Sequence, residues 1–198
     1  GAEVAGVADP DPAIAARLPG GVSYLGGDEA LASVAPASVL LALGVGATDV
    51  PHQRQRIFER YKKIGFRFAT VVHPSAIMAA GVELGEGAQV LAGAVLQTGC
   101  RLGVNALVNT RAVVEHDAVV EDHACVSPGA VLAGGVRIET AAFVGLGAAV
   151  LQNLRVGPEA MVAAGAVVIA DVPPGARVAG VPARSLLPAD AAVSRRRP

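Results

Sequence analysis

The chain has few aromatic residues, few charges and only two cysteines among its 198 residues. Aromatic residues make up 3% of the sequence and tryptophan is absent, so base-stacking surfaces for nucleic acid are not expected. Charged residues make up 17% and the formal net charge is −1, without a basic stripe, which argues against an electrostatic nucleic-acid interface. Cys100 and Cys125 show neither a disulfide framework nor metal-site spacing, as is typical of the reducing cytosol.

Long apolar runs are also lacking, although 53% of the residues are hydrophobic. No stretch reaches the ~18 uncharged apolar residues that a membrane-spanning helix needs. The first residues do not show the basic, apolar and small-residue order of a signal segment. The sequence therefore predicts a cytoplasmic protein without a membrane span.

A strict six-residue repeat dominates the second half of the chain. Steps of six from Leu84 to Val168 give fifteen positions, and each is Leu, Ile or Val. A second series, offset by four residues and running from Ala88 to Val172, contains eleven alanines. Neither the 3.6-residue period of a helix nor the alternation of a strand produces this pattern.

The two series predict a parallel β-helix built from hexapeptides, three of which close one triangular coil of about 18 residues. The large aliphatic residue of each unit fills the interior, and the small residue lies at a tight corner. One unit cannot bury its apolar face alone, so the coils must stack, about 4.8 Å apart. The repeat predicts about five coils over residues 84–173.

The first part of the chain shows a different pattern, in which short apolar segments alternate with helix-like segments. The expected strands and helices, in chain order, are 4–7, 10–18, 38–43, 50–64 and 66–72. This order predicts a small α/β unit that is Rossmann-like in outline.

The predicted fold class is therefore mixed. We expect the Rossmann-like domain at residues 1–74, the β-helix domain at residues 75–186 and a tail at residues 187–198.

Several segments resemble the hexapeptide-repeat acyltransferases. The segments at 84–88 (LGEGA) and 156–160 (VGPEA) look like repeat units of that family, and the stretch at 171–184 resembles the end of its coenzyme A enzymes. An α/β unit ahead of the β-helix narrows the resemblance to N-acetyltransferases of nucleotide-linked 4-amino sugars and to sialic acid O-acetyltransferases.

The resemblance implies a left-handed β-helix, acetyl-CoA as co-substrate, no metal, and a homotrimer with its sites between subunits. It implies acetyl transfer to the amine of a nucleotide-linked amino sugar in glycan biosynthesis. Transfer to a hydroxyl of sialic acid or of another sugar is the enzymatic alternative. A structural β-helix scaffold is the alternative without enzymatic activity.

Glu115-His116-Asp117 is the candidate catalytic segment. His116 is the third residue of its hexapeptide, at a corner where its side chain should point outward. Residues about 18 apart stack on adjacent coils, so Gly134 should lie beside His116 and leave room for a thioester carbonyl. A neutral imidazole can accept a proton from an attacking amine, with Asp117 orienting the ring. An exposed corner histidine is the alternative, but the resembling acetyltransferases carry a Glu-His-Glu/Asp triplet here, with the histidine as general base.

Five further positions are assigned by the resemblance. Gly134 matches a glycine whose N–H faces the acetyl carbonyl, and Leu146 and Ala164 match positions that line the coenzyme. Asn109 matches an asparagine near the acceptor sugar. Cys125 stands where relatives carry a second histidine that contacts the thioester end of the coenzyme. The alternative for Asn109 is a turn residue, and that for Gly134 is simply a corner glycine. For Leu146 and Ala164 the alternative is ordinary packing.

In this family the α/β domain holds the nucleotide. The resemblance implies that Asp9 faces the base from a strand end and that the turn at Gly44 lines the same pocket. The alternative for Asp9 is a turn former or helix N-cap in the sequence DPDP. Such domains open with a strand and a glycine-rich loop, and we expect both to be lacking here.

A metal-dependent β-helix enzyme, such as a carbonic anhydrase of this fold, needs three histidines that converge across neighbouring coils. His116 and His123 supply at most two ligands per chain, and the positions stacked on His116 are Thr98 and Gly134. No metal is therefore expected.

Overall fold

The structure is a computed structural model that describes residues 3–186. The predicted tail at 187–198 lies outside the described residues. The N-terminal part contains strands β1 (Val7–Ala8), β2 (Tyr24–Gly26), β3 (Leu40–Leu41) and β4 (Arg67–Phe68), with helix α1 (His52–Lys63) before β4. Three short 3-10 helices lie among these strands, at Pro12–Arg17, Asp28–Ser33 and Pro36–Ser38.

The N-terminal strands form two separate two-stranded sheets, because β1 pairs in parallel with β2, and β3 pairs in parallel with β4. The Rossmann-like domain is therefore not confirmed, since no single sheet unites these strands. The predicted strand at 38–43 and helix at 50–64 correspond to β3 and α1, whereas β2 was not expected. The segment predicted as a helix at 10–18 is a 3-10 helix, capped by the Asp11 carboxylate, which accepts from Ala13 N.

Helix α1 buries Phe58 and Tyr61 against Phe66 and Phe68. The rings of Phe58 and Phe68 are stacked, with their centroids 4.2 Å apart. Glu86 of the β-helix accepts a hydrogen bond from Phe68 N at 2.8 Å, which ties this cluster to the repeat. Within residues 3–186, no helix has both the length and the apolar character required to cross a bilayer.

From Val71 onward, parallel strands form the three faces of a β-helix. Strands on adjacent coils pair at a spacing of 18 residues, as Val113–Val114 does with Val95–Leu96 and Val131–Leu132. The last coil is two residues shorter, since Met161 pairs with Arg177. Every member of the aliphatic series from Val90 to Val168 is at most 3% exposed. The β-helix predicted from the repeat is confirmed, and its parallel coils are consistent with the expected left-handed form.

One face, here called the covered face, lies against the N-terminal part. Its strands are Val71–Val72, Gln89–Val90, Leu107–Val108, Cys125–Val126, Phe143–Val144, Met161–Val162 and Arg177–Ala179, with Arg184–Ser185 added in antiparallel orientation.

The other two faces differ in the residues that point outward. The apolar face consists of Ile77–Met78, Val95–Leu96, Val113–Val114, Val131–Leu132, Ala149–Val150 and Val167–Val168. The charged face consists of Glu83–Leu84, Arg101–Leu102, Val119–Val120, Arg137–Ile138 and Arg155–Val156. Because the second residue of each strand points inward, the first points outward. The outward residues are thus all aliphatic on the apolar face and mostly charged on the charged face.

The β-helix begins before both the repeat series, which starts at residue 84, and the expected domain start at residue 75. Its first strand is Val71–Val72, which pairs with Gln89–Val90, so the predicted strand at 66–72 is divided between β4 and the β-helix. Val72 and Met78 continue the six-residue series backwards, and both are exposed at the end of the coil. The signal was present, but the methionine did not fit the Leu, Ile or Val pattern.

A third six-residue register sets the corners. Every sixth residue from Gly81 to Gly165 has a left-handed φ, including Asp117 (60°) and His123 (61°). Glycine, asparagine and aspartate adopt this conformation at low cost, and they fill most of these positions. The register therefore places Asp117 at a corner irrespective of any role in chemistry.

Candidate active site

His116 lies at the corner between the apolar and the charged face. The strand Val113–Val114 leads into this corner and the strand Val119–Val120 leaves it. Two backbone hydrogen bonds join the corner to its neighbours: Asp117 N donates to Thr98 O at 3.0 Å, and Gly135 N donates to His116 O at 2.9 Å. The predicted stacking of adjacent coils at His116 is therefore confirmed.

The imidazole of His116 is held on one side only. Its Nδ1 lies 2.9 Å from Asp117 Oδ2, and the side chain is 66% exposed. A carboxylate can only accept, so in the neutral ring Nδ1 carries the hydrogen and Nε2 keeps its lone pair, which meets no donor among the described residues. The corner thus presents an accessible nitrogen base with a defined orientation.

Gly134 leaves the space beside that nitrogen. A Cβ atom added to Gly134 would lie 2.5 Å from His116 Nε2, so any side chain there would displace the ring. The φ of Gly134 is not left-handed, so this corner uses glycine for its lack of a side chain. Within the described residues, the Gly134 N–H donates to no protein acceptor. A free base and a free donor therefore lie side by side.

The residues expected at the coenzyme lie at another corner, between the covered and the apolar face. Leu146 and Ala164 are stacked there, because Gly165 N donates to Leu146 O at 2.8 Å. Leu146 is 59% exposed. Asn109 lies at the same corner, where its side-chain oxygen accepts from Thr110 N at 2.7 Å, as a turn residue does. In one chain, this corner and the His116 corner flank the apolar face from opposite sides.

Cys125 lies on the covered face and at neither of these corners. Its side chain packs with Leu107 and Phe143, and Ala47 of the N-terminal part packs against this cluster. The residue is 2% exposed, and burial raises the pKa of its thiol to about 11. The thiol is therefore neutral and covered in the single chain.

His123 occupies the third corner, between the charged and the covered face. Its Nδ1 lies 2.9 Å from Asn105 Nδ2, and its ring meets Phe58 edge-on with centroids 5.6 Å apart. Burial lowers its pKa. Because His116 and His123 lie at different corners, they do not converge. Across residues 3–186, no cluster of three His, Cys, Asp or Glu residues is placed to hold a metal ion.

Asp9 and Gly44 belong to the N-terminal part. The Asp9 carboxylate accepts from Asp11 N at 2.8 Å, which is the geometry of a turn former, and its carbonyl accepts from Tyr24 Oη at 2.9 Å. Gly44 follows β3, is exposed, and has no atom within 4 Å of an added Cβ. The structure thus unites His116, Asp117 and Gly134 at one corner and leaves the other predicted site residues elsewhere.

Arg54, which is 1% exposed, was not among the expected site residues. It precedes Phe58 by four residues and Tyr61 by seven, so helical periodicity places it on the buried side of α1. That spacing was a usable signal, but a charged side chain was assigned to solvent.

Comparison with known proteins finds similar solved structures. The acetyltransferase domain of PglB from Neisseria gonorrhoeae is 34% identical over 84% of this chain and 80% of that chain, with a TM-score of 0.79. Perosamine N-acetyltransferase from Caulobacter crescentus, as a histidine-to-asparagine variant in complex with CoA and GDP-perosamine, is 33% identical over 85% of this chain and 79% of that chain, with a TM-score of 0.79. WeeI from Acinetobacter baumannii is 26% identical over 89% of this chain and 84% of that chain, with a TM-score of 0.65.

No protein-family model and no curated protein matches the chain. The identity and coverage of the first two structures nevertheless define its class, and the chain belongs to the hexapeptide-repeat acetyltransferases. It is therefore an acyltransferase, as the resemblance of its repeat units implied. The PglB domain has also been solved in complex with acetyl coenzyme A.

Proposed function

We propose that this enzyme transfers an acetyl group from acetyl-CoA to the amine of a nucleotide-linked amino sugar, with His116 as general base. The observation that carries the proposal is the His116 corner, where Asp117 holds Nδ1 at 2.9 Å and Gly134 leaves space at Nε2. The complexes of the relatives with CoA and GDP-perosamine and with acetyl coenzyme A support both substrate classes.

The proposed chemistry needs one base. Acetyl-CoA supplies the acetyl group as an activated thioester. His116 Nε2 accepts a proton from the sugar amine while the C–N bond forms and the C–S bond breaks, and the imidazolium then returns that proton to the leaving thiolate. Asp117 keeps the ring oriented and stabilises its transient positive charge. Base catalysis of this kind is typically worth ~10²–10⁴ in rate.

The N–H of Gly134 is the proposed donor to the acetyl oxygen. That oxygen gains negative charge as the amine attacks, and a fixed backbone N–H stabilises it without reorganisation. The unpaired state of this N–H in the described residues supports the assignment.

A homotrimer is proposed from the difference between the three faces. The N-terminal part lies on the covered face, and the charged face carries ion pairs such as Arg101–Glu83 at 3.4 Å. The apolar face is open, with Ile77 64% and Val131 42% exposed. A continuous apolar patch of this kind marks an association surface. Association of three copies through it would bring the Leu146 corner of one copy towards the His116 corner of the next.

The remaining assignments follow from that arrangement. Leu146 and Ala164 form the proposed wall for acetyl-CoA, and their exposure suits that role. Asn109, Asp9 and Gly44 are the proposed acceptor contacts, with residues 1–74 binding the nucleotide. A contact from Cys125 to the coenzyme stays a prediction, and it requires that the side chain, 2% exposed in the single chain, become accessible.

The test is release of free thiol from acetyl-CoA with UDP-, dTDP- and GDP-linked 4-amino sugars. Wild type is compared with His116→Ala and with a matched control, His73→Ala, which removes an exposed histidine at the start of the β-helix. We expect turnover with one acceptor, reduced at least ~10²-fold by His116→Ala alone. Turnover only with hydroxyl acceptors would show that the acetyl group is transferred to a hydroxyl and not to an amine. Absence of acetyl-CoA binding would favour the scaffold alternative.

A further inference from the structure

The segment at residues 43–49 joins β3 to the start of α1 and lies against the covered face. Gly44 and Gly46 are exposed, and a Cβ added to either would meet nothing within 4 Å. Within the described residues, their N–H groups donate to no protein acceptor. The segment therefore presents an open stretch of backbone with free donors.

Two buried side chains hold the opposite edge of this segment. Arg54 Nη1 donates to Val45 O at 2.8 Å and contacts Leu43 O at 3.4 Å. Gln89 Nε2, from the covered face, donates to Leu43 O at 2.9 Å. Burial alternates along the segment, since Leu43, Val45 and Ala47 are half-buried whereas Gly44 and Gly46 are exposed. Such alternation indicates extended backbone, in which alternate residues direct their polar groups to the same edge. Because the carbonyl groups of Leu43 and Val45 point towards Arg54, the N–H groups of Gly44 and Gly46 point away from it.

The chemistry of Arg54 is unusual for a packing residue. It is 1% exposed, and its Nε and Nη2 have no hydrogen-bond partner in the part of the chain that the structure describes. Among residues 3–186, no carboxylate pairs with it, and burial lowers its pKa. An unpaired buried charge is costly, and an apolar residue of similar shape would pack at least as well. This free-energy cost of burying Arg54 indicates that its contacts with the carbonyls of Leu43 and Val45 serve a function.

Two further contacts, made by Ala47 and Asp49, hold the segment against the covered face. Asp49 Oδ2 accepts from Arg177 Nη2, in the last coil, at 2.8 Å. Between these two anchors, Ala47 packs against the cluster that contains Cys125. The segment is thus a strap across the covered face, and it packs against the cluster of Leu107, Cys125 and Phe143.

We infer that Arg54 is a positioning residue for the acceptor: it holds the carbonyls of Leu43 and Val45 so that the N–H groups of Gly44 and Gly46 are presented to the amino sugar. This inference rests on the proposed acetyl transfer to such an acceptor. Arg54 is proposed to contact neither the sugar amine nor the thioester carbonyl. It acts through the 43–49 segment.

The experiment combines kinetics with a readout that needs no acceptor. Arg54→Met removes the charge at similar volume, Arg54→Lys keeps the charge without the fork of donors, and Arg56→Met is the control on the exposed side of α1. Cys125 is 2% exposed in the cluster against which Ala47 packs, so maleimide labelling followed by mass spectrometry reports whether displacement of the strap opens that cluster. Cys100 is 0% exposed inside the β-helix and serves as the internal reference.

For Arg54→Met we expect rapid labelling of Cys125, and an acceptor KM raised about tenfold or more. The kcat at saturating acceptor and the KM for acetyl-CoA should stay within about twofold of the control. Arg54→Lys should be intermediate. If Arg54→Met does not fold, Arg54→Lys and Gln89→Met provide the test, since Gln89→Met removes the second donor to Leu43 O. Both should raise the acceptor KM and leave kcat unchanged.

Three results would overturn the inference. Unlabelled Cys125 with unchanged kinetics would mean that Arg54 does not hold the strap. Labelled Cys125 with an unchanged acceptor KM would mean that the strap does not meet the acceptor, although acetyl transfer stands. Wild-type enzyme without turnover on any amino sugar would remove both the proposed function and the acceptor role, and labelling would still report whether Arg54 seats the strap.

Discussion

His116 Nδ1 and Asp117 Oδ2 lie 2.9 Å apart although the two residues are adjacent in sequence. Adjacent side chains of a strand point to opposite sides, so this contact depends on the left-handed φ of Asp117. The corner geometry of the β-helix thus also orients the candidate base.

Asp117→Asn should lower kcat by about tenfold or more while leaving the fold intact. Asparagine keeps the shape but loses the charge that stabilises the imidazolium. The corner accepts asparagine readily, since Asn105 and Asn153 occupy the same register with φ values of 56° and 60°. Steady-state kinetics and thermal melting check this, and an unchanged kcat would remove Asp117 from the catalytic assignment.

Gly134→Ala should reduce kcat/KM about 10²-fold with a small effect on stability. The new Cβ would lie 2.5 Å from His116 Nε2, and the exposed ring can rotate away at little cost in folding free energy. The matched control is Gly81→Ala, where φ is +81° and the added Cβ meets no atom within 4 Å.

Gly81→Ala should show the reverse pattern. It should lower the free energy of unfolding by about 1 kcal/mol, because a left-handed residue gains a Cβ, and it should leave activity unchanged. Equal losses of activity in the two variants would contradict a specific role for the space at Gly134.

Val131→Lys should shift the proposed homotrimer towards monomer. Val131 is 42% exposed on the apolar face, and burial of an unpaired ammonium in an interface is unfavourable. Val119→Lys is the control, because Val119 is the corresponding outward residue of a strand on the charged face. Sedimentation velocity distinguishes the species, and a trimer that survives Val131→Lys would assign its interface to another face.

His123 should make the protein less stable below about pH 6.5. Burial lowers its pKa, against the opposing fields of Glu59 and Asp122 and together with that of Arg54. The unfolded chain therefore takes up the proton at a higher pH than the folded chain, so acidification favours unfolding until the folded-state pKa is reached.

Denaturant unfolding between about pH 7.5 and 5.5, at fixed protein concentration, tests this. His123→Asn keeps a residue that tolerates the left-handed corner and should flatten the pH dependence. His52→Asn, at the exposed start of α1, should retain the wild-type slope. Parallel slopes for wild type and His123→Asn would show that His123 does not contribute.

The N-terminal part was less predictable than the repeat, for local reasons. Its strands are two or three residues long, so their periodicity carries little information, and β2 (Tyr24–Gly26) passed unnoticed. The proline-rich start predicted a helix, but the chain forms a 3-10 helix with Asp11 as its cap. Tertiary pairing, rather than propensity, decided that β3 joins β4 while Val71–Val72 joins the β-helix.

The candidate site divides in the same way. The stacking of His116 with Gly134 was predictable, because a constant six-residue unit makes residues 18 apart neighbours. The separation of Cys125 from that corner was not deduced, since a match to relatives assigns a role without showing what covers the side chain.

The sequence by itself determined the repeat, its inward residues and the position of the His116 corner. The reason is that each hexapeptide repeats the same local geometry, so the place of a residue in its unit gives its place on the coil. The tertiary structure alone decided that Arg54 is buried against two carbonyls and that the 43–49 segment packs against the cluster that contains Cys125. Those contacts join residues far apart in the chain, such as Leu43 with Gln89 and Asp49 with Arg177. No local period encodes them, because they depend on how the N-terminal part packs on one particular face.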